Sequence, residues 1–354
     1  MFKTSDFDFD LPEKSIAHQP FFPKEQTKML VYNGAEILDK QVIDLIDFLQ
    51  EGDVLVFNDV KVIKAKLSAK IARSGAKLDF NLDQEIQGSN GVWKALCRPA
   101  KRVKMGDVLE IYQNVNANFS AEVLEKTDDG FIKIKFNCSG DELLKKLEAH
   151  GSIPLPPYIK REEKNQDDQI NYQTIYANNG TAVAAPTAGL HFTDKIFALL
   201  EAKKIQKTFV TLNVGAGTFL PVRADEIKDH KMHEEFFSIS AEAAKTINEA
   251  KKNGKKIVAV GTTSLRTLEA ASDENGYLQE KKAVTNIFIY PSYRFKIVDI
   301  LMTNFHLPKS TLFMLVCAFI GKEKAFEIYN YAISNQYRFY SYGDSSLLFR
   351  SSII

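Results

Sequence analysis

Several short stretches gather hydroxyl, imidazole and guanidinium groups beside small residues at which apolar runs end. In VAVGTTSLRTLEA (258–270) a strand-like run stops at Gly261, and Thr262, Thr263 and Ser264 offer hydroxyls where a helix begins. First-turn N–H groups lack intrahelical partners, so such a helix start can bind an anion. Arg266, in the first turns, opposes the helix dipole; a bound carboxylate would explain it, and pairing with an acid such as Glu269 is the alternative. In VAAPTAGLHFTDKIFALL (183–200) the small residues through Gly189 permit close backbone approach, with Thr187, His191 and Thr193 as the polar groups around them.

TNFHLPKST (303–311) sets Asn304 and His306 just before another helix. Histidine suits proton transfer near neutral pH, although a lone one also serves as a structural donor. DHKMHEEFF (229–237) brings together His230, His233, Glu234 and Glu235. Its His-x-x-His spacing lacks the third ligand a zinc site needs, so no metal is expected; acid/base or hydrogen-bonding work is expected, with a surface loop as the alternative. VGAGTFLPV (214–222) carries Gly215 and Gly217, but Pro221 stands where a dinucleotide turn has its third glycine. Backbone approach to a ligand is the better reading there. YRFYSYGDSSLLF (337–349) packs Tyr337, Phe339, Tyr340 and Tyr342 around Arg338, able to stack a nucleobase or to fill a core edge.

The elements that position these residues alternate. VIDLIDFLQ (42–50) has a helical apolar stripe, and VLVF (54–57) reads as a strand buried on both faces. Helices are expected over about 194–204, from the Ser240 cap to Asn253-Gly254, and after Thr262; strands over 208–214, 256–260 and 284–290. This predicts an α/β domain with a mostly parallel sheet. Residues 65–137 differ: LSAKIA, KLDFNL, VWKALC, VLEIY, FSAEVL and FIKIKF are short strand candidates separated by turn signals, which predicts a small antiparallel β-barrel. Ser139 and Glu142 form a capping-box pattern for a helix stopped by Gly151. A charged, Pro-rich connector (152–169) leads back. The expected division is α/β domain 1–62, inserted barrel 63–150 and α/β domain 151–354, with a linear two-domain array as the competing arrangement. Helices over 310–321, capped by Ser310, and 322–334 complete the chain.

The 354 residues include 45% apolar and 26% charged side chains, as in ordinary globular proteins. No window reaches ~18 uninterrupted apolar residues, so no membrane span is expected. An acidic N-terminus and three scattered cysteines suit the cytoplasm and a reducing environment. The net charge of +1 conceals a basic window: eleven Lys/Arg between Val60 and Lys104 face Asp79, Asp83 and Glu85, an excess of eight. Such a window fits a polyanion partner, or a solvated face balanced by acids elsewhere.

Blocks spread over the whole chain resemble one family: FDFDLPEKSIAHQP, VLVFNDVKVIKAKL, YQTIYA, GTAVAAPTAGLHFT, VTLNVGAGTFLPVR, MHEEFF, VGTTSLRTLE, TNFHLPKSTLFMLVCAF and YRFYSYGDSSLL. They are similar to the S-adenosylmethionine:tRNA ribosyltransferase-isomerases of queuosine biosynthesis. Departures are Asn213 in place of an expected His, Ser292 in place of the usual Gly of a PGY-type turn, and MHEEFF in place of an MHSEW-like block. The resemblance implies transfer and isomerisation of the ribosyl part of S-adenosylmethionine onto 7-aminomethyl-7-deazaguanine at the tRNA wobble position. The product is epoxyqueuosine-tRNA, with adenine and methionine released. It implies S-adenosylmethionine as cosubstrate, no prosthetic group, tRNAs with G-U-N anticodons as partners, and a monomer.

Carried onto this chain, the resemblance implies His191 and Thr187 as catalytic groups, with His233 and His306 as further acid/base candidates. It implies Asn58, Asp59, Gly189, Gly215, Gly217, Thr262, Thr263, Ser264, Asn304 and Tyr342 as substrate contacts, and Arg266 as a clamp on the methionine carboxylate. Lys61, Lys64, Lys66, Arg98, Lys101 and Arg102 would meet tRNA phosphates. The competing readings are a non-catalytic tRNA-binding protein, which leaves GTTSLRT and PTAGLHF without purpose, and an ordinary methyltransferase, which would need a Gly-rich strand-helix turn near the N-terminus.

Overall fold

Val54–Asn58 (β3) is buried at every position, and its alternating side chains enter two different cores. Val54 and Val56 meet Ile247 of the helix Ala241–Lys252 (α4) and Leu265 and Leu268 of Thr262–Ala271 (α5). Leu55 and Phe57 meet Val42 and Leu45 of a 3₁₀ helix, Val42–Phe48, and Ile196 and Leu200 of Asp194–Ala202 (α3). A strand with apolar groups on both faces thus sits between two helix layers. The computed structural model describes residues 2–86, 88–112, 118–127, 130–156, 158–159, 167–215, 222 and 224–351.

The main sheet has nine strands. Its order is Lys281–Thr285 (β15), Glu235–Ile239 (β13), Gln206–Leu212 (β12), β3, Ile257–Val260 (β14), Ile300–Asn304 (β16), Ser345–Phe349 (β17), Lys28–Tyr32 (β1) and Ile37–Gln41 (β2). The centre is parallel, as expected: Val54 stands beside Gln206 and Ile257, and Val258 beside Ile300. The flanks make the sheet mixed, because β13 and β15, and β17 against β16, pair antiparallel. Helix Thr311–Ile320 (α6) is buried from Phe313 onward and continues through Gly321 into Lys322–Ser334 (α7). Among the described residues, no helix is long and apolar enough to cross a membrane.

Lys66–Ile71 (β5), Lys77–Glu85 (β6), Val92–Arg98 (β7), Val108–Ile111 (β8), Ser120–Lys126 (β9) and Phe131–Phe136 (β10) close into a barrel in the order β10-β7-β6-β5-β8-β9. Period-two alternation fills it: Leu67, Ala69 and Ile71 point inward with Phe80, Trp93 and Ile134, while Lys133 reaches Glu125 outside at 2.5 Å. Leu143 and Leu147 of Gly140–His150 (α1) join the barrel core. Val60–Val62 (β4) enters the barrel, and Asn179–Ala182 (β11) lies parallel to it after a short helix, Asp167–Asn171 (α2).

Three local expectations differ. The 42–50 stripe forms a 3₁₀ rather than an α-helix. The strand expected at 284–290 lies at 281–285 and ends where Thr285 Oγ1 accepts from Ile287 N (3.1 Å), a turn that takes the backbone out of the ladder. Ser139 is the N-cap of α1, but its hydroxyl makes no cap hydrogen bond.

Candidate active site

Three chain reversals at the ends of the parallel strands enclose a cavity of about 440 Å³. Gly261, at φ +90°, turns β14 into α5 in a conformation that favours glycine. Ala184–Ala188 form a second wall, and Thr303–Leu312, the run from β16 into α6, a third. Tyr340 and Ser341 close it from the C-terminal region. This is the ligand position expected for strands of an open α/β sheet.

The α5 end supplies the anion-binding character. Its first intrahelical bond runs from Leu265 N to Gly261 O (3.2 Å), so the N–H groups of Thr262, Thr263 and Ser264 precede it. Thr262 and Thr263 line the cavity, and the Thr263 hydroxyl is buried without a partner. Ser264 does not line it: its hydroxyl donates to Val260 O at 2.9 Å. Arg266 is 3% exposed and reaches the cavity wall, yet its terminal nitrogens are committed to Glu235, Nη2 donating to Oε1 at 3.1 Å and Nη1 to Oε2. Only its Nε–H is left without a partner. The expected clamp on a carboxylate is thus already engaged in an ion pair within the wall, and the partner is Glu235 rather than Glu269. The Glu269 carboxylate instead accepts from the Lys296, Ile297 and Val298 amides.

Of the expected proton carriers, His306 lines the cavity. Its Nε2 lies 3.2 Å from Thr303 Oγ1, its backbone N–H donates to Tyr329 Oη, and burial pushes its pKa down to about 3. The ring is neutral at pH 7. His191 lies behind the wall, in a pocket of about 20 Å³ shared with Phe21, Lys24 and Tyr342. Burial, then the nearby Arg338 and Lys24 charges, push it down to about 4, and its Nε2 is buried without a hydrogen-bond partner. Asn304 itself lines the cavity and is fixed by donating to Tyr340 O (3.0 Å) and Ser341 O (3.3 Å). His191 does not line the cavity; Ser341 stands between, lining both its pocket and the cavity. His233 is exposed, near Phe131 of the barrel, away from the cavity.

Thr187 lines the cavity, but Gly189 does not. A Cβ at Gly189 would stand 1.9 Å from Tyr176 Oη, so its smallness makes room for a half-buried tyrosine. Asn58 and Asp59 also serve the protein. Asn58 Nδ2 donates to Leu212 O (3.1 Å) while its Oδ1 accepts from Leu212 N (3.0 Å); Asp59 accepts from Thr211 Oγ1 (2.7 Å) and Asn179 Nδ2 (2.6 Å). Gly215 faces Asp83, 2.4 Å from where its Cβ would be. Gly217 lies outside the described residues. Tyr342 is buried behind the wall and donates to Asp168 at 3.3 Å, so Tyr340 is the tyrosine that meets the cavity. Tyr340 adopts φ +79°, rare for a bulky residue, and packs on Tyr158 with centroids 3.8 Å apart. Sequence reasoning missed Glu235 as the partner of Arg266 and Lys309 in the wall.

The basic window is partly neutralised by acids outside it. Lys64 pairs with Glu148 (2.7 Å), Lys70 with Glu110 (3.3 Å) and Arg73 with Asp107 (2.9 Å). Lys61, Lys66, Arg98, Lys101 and Arg102 are exposed and make no ion pair among the described residues.

Comparison with known proteins adds the following. A family model described as queuosine biosynthesis protein matches residues 4–348. The chain is 52% identical over 352 residues to an S-adenosylmethionine:tRNA ribosyltransferase-isomerase of Allorhizobium ampelinum, covering 97% of this chain and 98% of that one. It is 47% identical over 361 residues to a protein of the same name from Rickettsia bellii, covering 98% and 99%. The crystal structure of the S-adenosylmethionine tRNA ribosyltransferase of Thermotoga maritima matches with a TM-score of 0.54 at 34% identity, over 97% of this chain and all of that one.

Proposed function

The chain belongs to the queuosine biosynthesis protein family, and from that membership we propose that its 440 Å³ cavity holds S-adenosylmethionine. The chain is an S-adenosylmethionine:tRNA ribosyltransferase-isomerase. The observation that carries the cavity assignment is electrostatic. The substrate has a sulfonium and an ammonium as well as a carboxylate, so an uncompensated cation beside the sulfur would repel it. Both cations in the wall are paired, Arg266 with Glu235 and Lys309 with Asp8 (2.6 Å). The uncharged donors of the α5 start, the Thr263 hydroxyl and the Arg266 Nε–H remain to receive the carboxylate.

The chemistry follows from the sulfonium. It acidifies the adjacent ribose 5′ carbon, so a positioned base removes a proton there and adenine is eliminated. The neutral aminomethyl group of the RNA base attacks, and later proton transfers close the epoxide as methionine leaves. Thr187 and His306 are the groups we assign to these transfers, with Asn304, held by the Tyr340 and Ser341 carbonyls, positioning. A neutral His306 adds no charge beside the sulfonium. Ala184–Ala188 and Tyr340 pack against the rings and keep water from the intermediate.

We assign tRNA phosphates to Lys61, Lys66, Arg98, Lys101 and Arg102, and treat residues 63–150 as a domain inserted between 1–62 and 151–354, a division supported by the β4–β11 pairing. The tRNAs would be those with G-U-N anticodons and the chain a cytoplasmic monomer. Thr263→Val tests the site: the KM for S-adenosylmethionine should rise about ten-fold, as for loss of a buried hydrogen bond, with tRNA affinity retained. An unchanged KM would move the carboxylate elsewhere.

A further inference from the structure

Two adjacent phenylalanines stand in water beside the cavity wall. Phe21 is 43% and Phe22 59% exposed, on a loop leading into the 3₁₀ turn Lys24–Gln26. That turn packs against the turn Thr187–His191, whose first residues line the cavity. Phe21 and Lys24 share their small pocket with Ser341, and Ser341 also lines the large cavity. Phe21 is thus separated by Ser341 from the wall that holds Tyr340, and Phe22 follows it in the chain.

A cation lies near each ring. The Arg338 guanidinium carbon lies 5.3 Å from the Phe21 centroid, and Lys24 Nζ lies 6.0 Å from that of Phe22. Arg338 is fixed by Asp344, with Nε at 3.0 Å and Nη2 at 2.6 Å. Lys24 makes no ion pair among the described residues, and it lines the small pocket beside Phe21. The neighbouring acid, Glu25, pairs with Lys195 at 3.5 Å. Exposed aromatic faces beside a lysine with no ion pair among the described residues complement a partner that has flat π faces and negative charge between them.

Resting on the reading of the preceding subsection, we propose that Phe21 and Phe22 form a stacking platform for the unpaired nucleotides flanking the modified one. An enzyme that works on a base must draw it out of its stack, which leaves its neighbours unstacked. The platform receives one of those neighbours, and Lys24 meets the phosphate beside it. This contact is separate from the barrel's phosphate contacts, and it places the target nucleotide at the Tyr340–Ser341 wall.

The test uses the full chain and substrate tRNA carrying 2-aminopurine next to the target nucleotide. Phe21→Ala and Phe22→Ala should each weaken tRNA affinity about five- to a hundred-fold and remove the 2-aminopurine quenching seen with the unaltered protein. Phe22→Trp should keep both. S-adenosylmethionine affinity should stay unaltered, showing that the variants are folded. Affinity within about two-fold of the original for both alanine variants would overturn the platform. So would a change in sedimentation state, which would make the patch a contact between copies of the chain. If the unaltered protein still transfers ribosyl groups in either case, the cavity assignment stands; if it binds no tRNA, both readings fall.

Discussion

Glu235, at the start of β13, and Arg266, thirty-one residues later in α5, form a buried ion pair in the cavity wall. The pair does two things at once. It satisfies a guanidinium that would otherwise be a costly buried charge, and it leaves this part of the wall without net positive charge, as the proposed binding of a cationic cosubstrate there requires. Glu235→Ala should therefore destabilise the protein by about 3–5 kcal/mol, because one buried charge is left alone. It should also raise the KM for S-adenosylmethionine. The Glu235→Ala/Arg266→Leu double variant should recover much of the stability, readable from urea midpoints; equal loss in both would mean that the pair is not the source.

Gly189 and Tyr176 give a second expectation. A methyl group at residue 189 would collide with the Tyr176 hydroxyl, a buried oxygen without a partner. Gly189→Ala should cost about 1–3 kcal/mol by overpacking. Tyr176→Phe removes the nearest atom and leaves the next ring carbon at 3.0 Å, so it should restore part of that loss. Independent, additive effects in the cycle would contradict the contact.

Acid sensitivity follows from His191 and His306. Their ordinary value is 6.5, lowered to about 4 and about 3 in the fold, with burial as the first cause. Below pH 6.5 the unfolded chain takes up protons that the folded chain refuses until those lower values. Stability is thus lost as pH falls through that window, by up to about 1.4 kcal/mol per pH unit for each histidine. His306→Gln should flatten the decline measured by urea unfolding at pH 7 and pH 5; parallel curves would remove His306 from this role.

Ser292 has φ +90° on the surface, a region that favours glycine. Ser292→Gly should stabilise the protein by about 1 kcal/mol through relief of that strain. A lowered thermal midpoint would show that the serine is held there by something else.

Local signals in the sequence were sufficient wherever the physics is local. The Ser310 hydroxyl accepts from Phe313 N (3.1 Å) as its position before α6 implied, α7 runs over 322–334 as its apolar spacing required, and six alternating segments close the barrel. The lining of the candidate cavity was legible in outline, through Gly261–Thr263, Thr187, Asn304 and His306. What was hidden depends on sheet order. Asn58 ends a strand as a substrate contact would, but β12 lies beside it and takes its amide through Leu212, 154 residues away. Gly189 announced a close approach without saying to what. Arg266 announced an acid, and the strand carrying that acid could be chosen only once β13 was known to lie next to β12.

The central claim is that the sugar of S-adenosylmethionine moves while its methyl stays on sulfur. Two preparations, labelled in the ribose and in the methyl, incubated with this protein and tRNA bearing 7-aminomethyl-7-deazaguanine, separate the possibilities. The ribose label should enter RNA, with free adenine and methyl-labelled methionine appearing in step. Methyl label in the RNA, or labelled RNA without adenine, would contradict the account.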